Sequence, residues 1–430
     1  MAESTIALII AVMVLISYAT QWIPITVTAM MSALVMAFFG IISFEDAIVS
    51  FGSDALLLVV GAVIMGNALV ECGVTSIIGK NILKVKFLAQ NERLFIVVIM
   101  AICAILSGFI SNSACVAIFL PVAAAVAQAS DGIIKKERVY MGIGVASVAG
   151  GMCTMVGSTP QIIANGILMQ TDGVEPLGFF GLTKGALVVV VIVILYFATA
   201  GYNLQKRVFH CMEDGLHDMS EIGSSAVETK EIPRRKTITA IVIFLGCIVC
   251  FVLDIGTVGT VALAGAFLHI AFGCISEKKA FATMDWTAFF VMGGALGFSK
   301  GMNESGAIQM LAERTVALFG GENANPIVLY YALFILATLL TNLMSNAACA
   351  AILTPLGIAV ALAVGADPRT FTIMIILGAD ISYMTPIASP PITMTLAGGY
   401  KFMDYVKVGA PLTLIIMLVL PAATCLIYGL

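Results

Sequence analysis

Residues 94–129 read LFIVVIMAICAILSGFISNSACVAIFLPVAAAVAQA, two apolar arms joined at a short polar tip, Ser111-Asn112-Ser113. Residues 327–364 repeat this arrangement as IVLYYALFILATLLTNLMSNAACAAILTPLGIAVALAV, with the tip Ser345-Asn346-Ala347. Asn and Ser are good helix N-caps and compete with the backbone for hydrogen bonds, so each tip predicts a chain reversal between two helices. We therefore expect two re-entrant helical hairpins. A polar contact within a pair of full-length crossings is the alternative interpretation.

The composition around these hairpins is that of a membrane protein. Hydrophobic residues make up 60% of the 430 residues and charged residues 11%, against roughly 25% charged in soluble domains. A net charge of -4 without a basic tract gives no support to nucleic-acid binding. Apolar stretches long enough to cross a hydrocarbon core of about 30 Å lie near residues 4–20, 25–42, 55–70, 139–169, 185–204, 237–253, 258–273, 287–301, 370–398 and 408–428. We predict an all-α polytopic membrane protein with these ten crossings.

One long polar stretch, residues 205–236, separates the two halves of the chain. If this stretch is a cytoplasmic loop, alternating the crossings places most of the 21 Lys and Arg residues inside, which agrees with the positive-inside rule. Both termini then lie outside. The expected location is the cell membrane, as in a multi-pass protein of a bacterial inner membrane.

The second half repeats the polar landmarks of the first half. Ser111-Asn112 corresponds to Ser345-Asn346, and Pro121 corresponds to Pro355, each at an offset of 234 residues. Each half holds five crossings, and this odd number gives the two copies opposite orientations in the membrane. Inverted repeats with interrupted helices are typical of secondary transporters. We predict two inverted repeats of five transmembrane helices plus one re-entrant hairpin each, with interrupted helices at the midplane.

Two proline motifs interrupt apolar segments after the hairpins. They are Gly157-Ser158-Thr159-Pro160 and Ala388-Ser389-Pro390-Pro391. Proline lacks an N–H and restricts the residue before it, so each helix should break near its middle. Broken backbone in a bilayer is tolerated where it faces protein or a water-filled cavity. The breaks are therefore expected to line a binding site, although an ordinary proline kink is the alternative.

Hydroxyl residues precede both tips by about one helical turn, at Ser107 and Thr341. With the Ser and Asn of the tip and the carbonyl of Gly157 or Ala388, they supply a neutral shell made entirely of oxygen atoms. Such a shell suits a hard monovalent cation, and sodium is the economical choice. We expect no transition-metal site and no cofactor apart from sodium as the coupling ion.

Asp380 is an acid about 15 Å deep in its predicted crossing. Intramembrane acids are functional candidates by default, and a role in proton or cation coupling is one interpretation of Asp380. A structural hydrogen bond is the other. The position that corresponds to Asp380 in the first half is Ala149, so this acid lies outside the repeated set.

At these motifs the sequence resembles the divalent anion:sodium symporter family, the dicarboxylate, citrate and sulfate carriers of the ion transporter superfamily. The resemblance covers essentially the whole chain. It implies a first sodium site at Ser107, Ser111, Asn112 and Gly157, and a second at Thr341, Met344 through its carbonyl, Asn346 and Ala388. The implied substrate site comprises Asn112, Ser113, Ser158, Asn346, Ala347, Ser389 and Pro390. Ala347 departs from the family, which has a threonine at that position of the tip.

The resemblance also implies a homodimer that works by an elevator motion, in which hairpins and broken helices move as one body against a scaffold. The scaffold would comprise residues 1–72 and 237–303, and interfacial helices would cover residues 73–92 and 304–325. The transport domain would comprise residues 93–210 with an inner hairpin and residues 326–430 with an outer hairpin. Residues 211–236 would form the cytoplasmic loop.

The predicted function is sodium-coupled transport of a small anion, most simply a di- or tricarboxylate, with the lipid bilayer and Na⁺ as the other partners. A sodium/proton antiporter or an anion exchanger of the same superfamily is the alternative. An enzyme is not expected, because no His-Asp or metal-ligand spacing falls at membrane depth. A channel would need a continuous polar pore in place of two closed hairpins.

Overall fold

The computed structural model describes residues 3–74, 77, 90–130, 132–209, 233–253, 255–321 and 324–429, and these residues form an all-helical protein. The first half contains α1 (Glu3–Thr20), α2 (Ile25–Phe38), α3 (Phe44–Val49), α4 (Asp54–Glu71), α5 (Glu92–Ser107), α6 (Asn112–Ala129), α7 (Lys136–Gly151), α8 (Thr159–Leu168), α9 (Thr183–Ala198) and α10 (Ala200–Val208). The second half contains α11 (Arg234–Val252), α12 (Val258–Ala271), α13 (Glu277–Ala282), α14 (Trp286–Glu304), α15 (Ala307–Leu318), α16 (Pro326–Thr341), α17 (Asn346–Ala363), α18 (Pro368–Asp380), α19 (Pro390–Met394) and α20 (Phe402–Tyr428).

Several of these helices have the length and composition of membrane spans. Within the described residues, α1, α4, α11, α17 and α20 each have at least 18 residues and are apolar enough to cross a membrane. The pair α9 and α10 also qualifies, although it bends by 51° at Thr199. The crossing predicted over residues 185–204 therefore bends at Thr199, where α9 ends and the chain continues as α10.

Glycines and alanines allow close contacts between α4 and α12 and between α2 and α14. A Cβ atom on Gly61 would lie 2.3 Å from the carbonyl carbon of Ala262, and one on Gly294 would lie 2.4 Å from that of Ala29. Small residues that let backbones approach are typical of helix packing in membranes, where dispersion contacts replace the hydrophobic effect. These contacts join residues 1–72 to residues 237–303.

The hairpin arms and broken helices pack across the two halves of the chain. The short helix α8 packs against α17, and α19 packs against α6 and α7. Each half-helix that follows a break therefore contacts the hairpin of the other half. These contacts between the two halves bring both breaks and both tips into one region of the molecule.

The predicted polar loop is shorter than the sequence suggests. Helix α10 includes Gln205 and continues to Val208, while α11 begins at Arg234 and includes the basic residues Arg234, Arg235 and Lys236. The predicted polar stretch 205–236 is therefore wrong at its ends, because residues 205–208 belong to α10 and residues 234–236 belong to α11. The loop boundary 211–236 stays a prediction. Residues 210–232 lie outside the described part of the chain. Most of the first predicted interfacial helix, residues 73–92, also lies outside the described part. The second predicted interfacial helix, residues 304–325, contains α15.

Candidate functional site

The first tip begins where α5 ends at Ser107 and is closed by a capped helix start. Ser111 caps α6, because its Oγ accepts a hydrogen bond from Ala114 N at 3.3 Å. The Ser107 hydroxyl lies 2.6 Å from the amide oxygen of Asn112. Ser107 is fully buried and Asn112 is 8% exposed. The first residue of α6 is thus held by the last residue of α5.

Oxygen atoms from three parts of the first half surround the Asn112 side chain. With its amide turned to satisfy both ends, Asn112 donates to the carbonyl oxygens of Gly157 at 3.0 Å and Ser147 at 3.2 Å, and to Ser107 Oγ at 2.6 Å. The Ser147 hydroxyl also lies 2.9 Å from Ser107 Oγ and donates to the Asn112 carbonyl at 2.8 Å. Neutral oxygens that converge on one point are ligands that a hard cation accepts.

The first break brings Gly157 beside the end of α7. Helix α7 ends at Gly151 and α8 begins at Thr159. A Cβ atom on Gly157 would lie 2.2 Å from the Gly151 carbonyl oxygen, and one on Gly151 would lie 2.2 Å from Asn112 Oδ1. Real Cβ atoms do not approach other atoms this closely, so Gly157 needs glycine against the backbone of Gly151, and a side chain at Gly151 would displace the Asn112 amide. The Gly151 carbonyl accepts a hydrogen bond from Gln161 Nε2 at 3.0 Å, which ties the two sides of the break together.

The second tip has the same construction. Ser345 caps α17 by accepting from Ala348 N at 3.2 Å. The Thr341 hydroxyl at the end of α16 contacts the amide oxygen of Asn346 at 2.9 Å and the carbonyl oxygen of Ala379. Thr341 is fully buried and Asn346 is 8% exposed, the same value as Asn112.

The second break is tied to the second tip by Asn342. Helix α18 ends at Asp380 and α19 begins at Pro390. The Asn342 amide donates to the Ile381 carbonyl at 3.0 Å and accepts from Met384 N at 3.0 Å. The Thr385 hydroxyl donates to the Asn342 carbonyl at 2.9 Å. One asparagine thus satisfies backbone groups that the broken helix leaves without a helical partner.

Asp380 connects the two halves of the chain. Its Oδ1 accepts a hydrogen bond from Ser158 Oγ of the first break at 2.9 Å and one from Asn346 Nδ2 of the second tip at 3.4 Å. Its side chain is fully buried. The predicted sodium and substrate residues Ser158 and Asn346 therefore meet through a carboxylate that lies outside the sequence repeat.

A small cavity opens beside the first tip and break. Its volume is about 70 Å³, and α4 forms its opposite wall. The lining from the first tip and break comprises Ser111, Val156, Gly157, Ser158, Thr159 and Ile162. A larger cavity of about 300 Å³ lies elsewhere, between α14, α15 and α17. Three predicted residues, Ser111, Gly157 and Ser158, thus line the smaller cavity.

The other predicted site residues lie nearby in the chain but outside this network. Ser113 and Ala347 are half-buried, Ser389 is buried at the start of α19, and Pro390 is exposed. Within the described residues, the hydroxyls of Ser113 and Ser389 make no hydrogen bond, although the Ser389 carbonyl accepts one from the Thr393 hydroxyl at 3.1 Å. Met344 and Ala388 are buried, and their expected contributions are carbonyl oxygens. Their roles as ligands stay predictions.

Sequence reasoning missed two polar residues of this region. Ser147 joins the first oxygen cluster, and Asn342 holds the second break. Ser147 is a hydroxyl residue in the glycine-rich stretch of α7, and Asn342 directly follows Thr341. Ser147 lies one helical turn before Gly151, and this spacing could have indicated its role from the sequence.

Comparisons with known proteins identify a family of membrane transporters. A family model described as citrate transporter (CitMHS) matches residues 12–368 and 248–429. An uncharacterized transporter of Haemophilus influenzae is 29% identical over 437 residues, which covers 97% of this chain and 90% of that protein. The sodium-dependent dicarboxylate transporter SdcS of Staphylococcus saprophyticus is 24% identical over 409 residues, covering 88% of this chain and 77% of SdcS.

Two solved structures share the fold. MtrF of Neisseria gonorrhoeae, from a class described as antimetabolite efflux pumps, has a TM-score of 0.65 at 12% identity, over 99% of this chain and 95% of its own. The YdaH transporter of Alcanivorax borkumensis has a TM-score of 0.61 at 15% identity, over 92% and 88%. Because these identities are low, the similarity concerns the fold alone. The family match over nearly all of its length shows that this chain is a multi-pass membrane transporter of the citrate transporter (CitMHS) family, within the ion transporter superfamily.

Proposed function

We propose that this protein carries a small anion, most simply a di- or tricarboxylate, across the membrane together with sodium. The observation that carries the proposal is the pairing of each tip asparagine with a buried hydroxyl, at Ser107 and Thr341. Both pairs are neutral and consist of oxygen ligands, which suits sodium. SdcS, a relative over most of this chain, is a sodium-dependent dicarboxylate transporter.

The substrate would bind between the tips, where helix starts offer free N–H groups to an anion. Helices α6 and α17 start at Asn112 and Asn346, and these asparagines would contact both sodium and substrate. No Lys or Arg occurs within the tips or breaks. A carried anion therefore depends on sodium for charge compensation, because an isolated charge at membrane depth is costly. This dependence is the physical basis of the proposed coupling.

The proposed mechanism is an elevator motion of a homodimer built on inverted repeats. Hairpins α5–α6 and α16–α17 would move with the broken helices as one transport domain, while residues 1–72 and 237–303 would stay fixed as the scaffold. The packing of α8 on α17 and of α19 on α6 supports this division, since each half-helix after a break contacts the hairpin of the other half. Helix α15 would link that body to the scaffold. In the proposed topology both termini lie outside.

Uptake by purified protein in proteoliposomes tests the proposed function. We expect radiolabelled succinate or citrate to accumulate under an inward Na⁺ gradient and not under an equal K⁺ gradient. The variants Asn112→Ala and Asn346→Ala should abolish accumulation, whereas Asn203→Ala, on the surface of α10, should retain it. Accumulation of the same size with K⁺ in place of Na⁺ would contradict sodium coupling. Uptake that requires a second anion inside the vesicles would favour the alternative, an anion exchanger.

A further inference from the structure

Asp380 is a buried acid without a cationic partner among the described residues. One carboxylate oxygen accepts hydrogen bonds from Ser158 and Asn346, while the other, Oδ2, is buried and has no hydrogen-bond partner among the described residues. Helices α8, α16 and α17, which pack against α18, contain no Lys, Arg or His. Helix α20 also contacts α18, and its Lys407 pairs with Asp404 at 3.9 Å. Arg369 lies at the far end of α18 and pairs at 3.6 Å with Glu175.

A buried carboxylate with two neutral donors and no cation is costly, because its desolvation is not repaid by an opposite charge. Buried charges in proteins are paired or coordinate a metal. A polar atom that is buried without a hydrogen-bond partner also needs an explanation, such as a bound ion. Asp380 Oδ2 therefore indicates a cationic partner.

Two more buried oxygens without partners follow Asp380 in the second break. Within the described residues, neither the Ser382 hydroxyl nor the Tyr383 hydroxyl has a hydrogen-bond partner, and both side chains are buried. The chain turns tightly here, since Ser382 N donates to the Asp380 carbonyl at 2.9 Å. A proton bound to Asp380 would satisfy one of these oxygen atoms. A metal cation takes several oxygen ligands at once and can satisfy more of these atoms.

We propose that Asp380 is the anionic ligand of a third sodium position, which lies between Ser158 of the first half and Asn346 of the second half. This inference rests on the proposed function but adds a charged site to the two neutral shells. Because its counter-charge belongs to the protein, this ion binds without any substrate. It also joins the first break to the second tip, so its arrival assembles the substrate site before the anion enters.

Equilibrium binding of ²²Na⁺ to the purified full-length protein, without substrate, tests the proposal. Asp380→Asn keeps the shape of the side chain and removes its charge. We expect this variant to bind one Na⁺ fewer per chain at saturation, or to bind that ion about tenfold or more weakly, because a close unit charge is lost. Asp380→Glu keeps the charge and should retain part of the binding. Asp172→Asn, an exposed acid in a loop, is the matched control and should bind like the original protein.

Further variants keep the test decisive if Asp380→Asn does not fold. Ser158→Ala removes one contact of Asp380 and should weaken the same ion, whereas Asn112→Ala should remove a different one. Equal numbers and affinities of bound Na⁺ in Asp380→Asn and the original protein would overturn the proposal, as would loss of a bound proton with unchanged Na⁺. If uptake by the original protein needs no sodium, the proposed function itself fails. Sodium-dependent uptake with an unchanged count in Asp380→Asn overturns only the third position.

Discussion

Each tip asparagine is held by a fully buried hydroxyl five residues earlier, Ser107 for Asn112 and Thr341 for Asn346. An amide is suited to this position because its oxygen and nitrogen have nearly the same shape and opposite hydrogen-bonding roles. Its nitrogen can donate to the carbonyls of Ser147 and Gly157, and after a half turn its oxygen can face a cation beside the same carbonyls. Substitution by aspartate would lose the donor role, and substitution by leucine would lose both roles.

Ser147→Ala tests whether the first oxygen cluster binds sodium. The Ser147 hydroxyl contacts both Ser107 and the Asn112 backbone, so its loss should loosen the cluster. We expect the sodium concentration for half-maximal uptake to rise about fivefold, since a lost hydrogen bond costs roughly 1 kcal/mol. Thr239→Ala is the control, because that exposed hydroxyl donates only to its own helix, at 2.9 Å. Equal sodium dependence of the two variants would show that the cluster is structural.

Gly151→Ala tests how closely the end of α7 must approach the first tip. The added methyl group would lie 2.2 Å from Asn112 Oδ1, so the asparagine must move. We expect sodium-dependent uptake to fall at least about tenfold, because small displacements of binding groups are costly. Gly246→Ala on α11 has open space around it and should keep full uptake. Normal uptake by Gly151→Ala would mean that Asn112 is not a ligand in this position.

At the scale of helices, the same serine cap closes both tips. Ser111 and Ser345 each accept a hydrogen bond from the backbone three residues later, at 3.3 and 3.2 Å. A cap satisfies an N–H group that the helix start leaves unpaired. Only Ser111 is also a predicted sodium ligand, so the pair separates helix stability from ion binding.

Ser111→Ala and Ser345→Ala should destabilise the protein to a similar extent, by about 1 kcal/mol each for the lost cap. Thermal unfolding in detergent measures this effect. In uptake assays, we expect only Ser111→Ala to raise the sodium concentration needed for half-maximal transport. A matching increase in Ser345→Ala would indicate that the cap, and not a sodium contact, determines the effect at both positions.

At the scale of the whole molecule, the first tip lies directly against α4. A Cβ atom on Gly66 would lie 4.0 Å from Ile110 Cβ, which is within the range of disulfide-linked cysteines. The contact joins the proposed scaffold to the proposed moving body. Relative motion of the two bodies must break it.

The double variant Gly66→Cys/Ile110→Cys should therefore lose transport when oxidised and recover it after reduction. Loss of free thiols, measured by mass spectrometry, gives the fraction linked, and each single variant controls for the substitution itself. We expect uptake to fall in proportion to the linked fraction. Undiminished uptake by fully linked protein would exclude motion between α4 and the first tip, and with it the elevator mechanism.

Much of this architecture was predictable from local chemistry. The 11% charged content indicated a membrane protein, and the Ser-Asn tips predicted two capped reversals because side-chain caps act within three residues. The half-helices that follow the breaks also begin with Pro160 and Pro390 in their first turn, where a missing N–H costs nothing. These signals are short-range, so the amino-acid sequence alone was sufficient to identify them and the candidate residues around them.

The tertiary structure decided which of these local features meet. Asp380 and Ser158 lie 222 residues apart in the chain, and their contact depends on the packing of α8 against the second hairpin. No periodicity or offset predicts such a pair, because Asp380 has only Ala149 as its counterpart in the first half. Long-range packing energy, spread over many helix contacts, determines which side chains become neighbours. The contact of Asp380 with Ser158 is therefore a property of the fold and cannot be derived from any single segment.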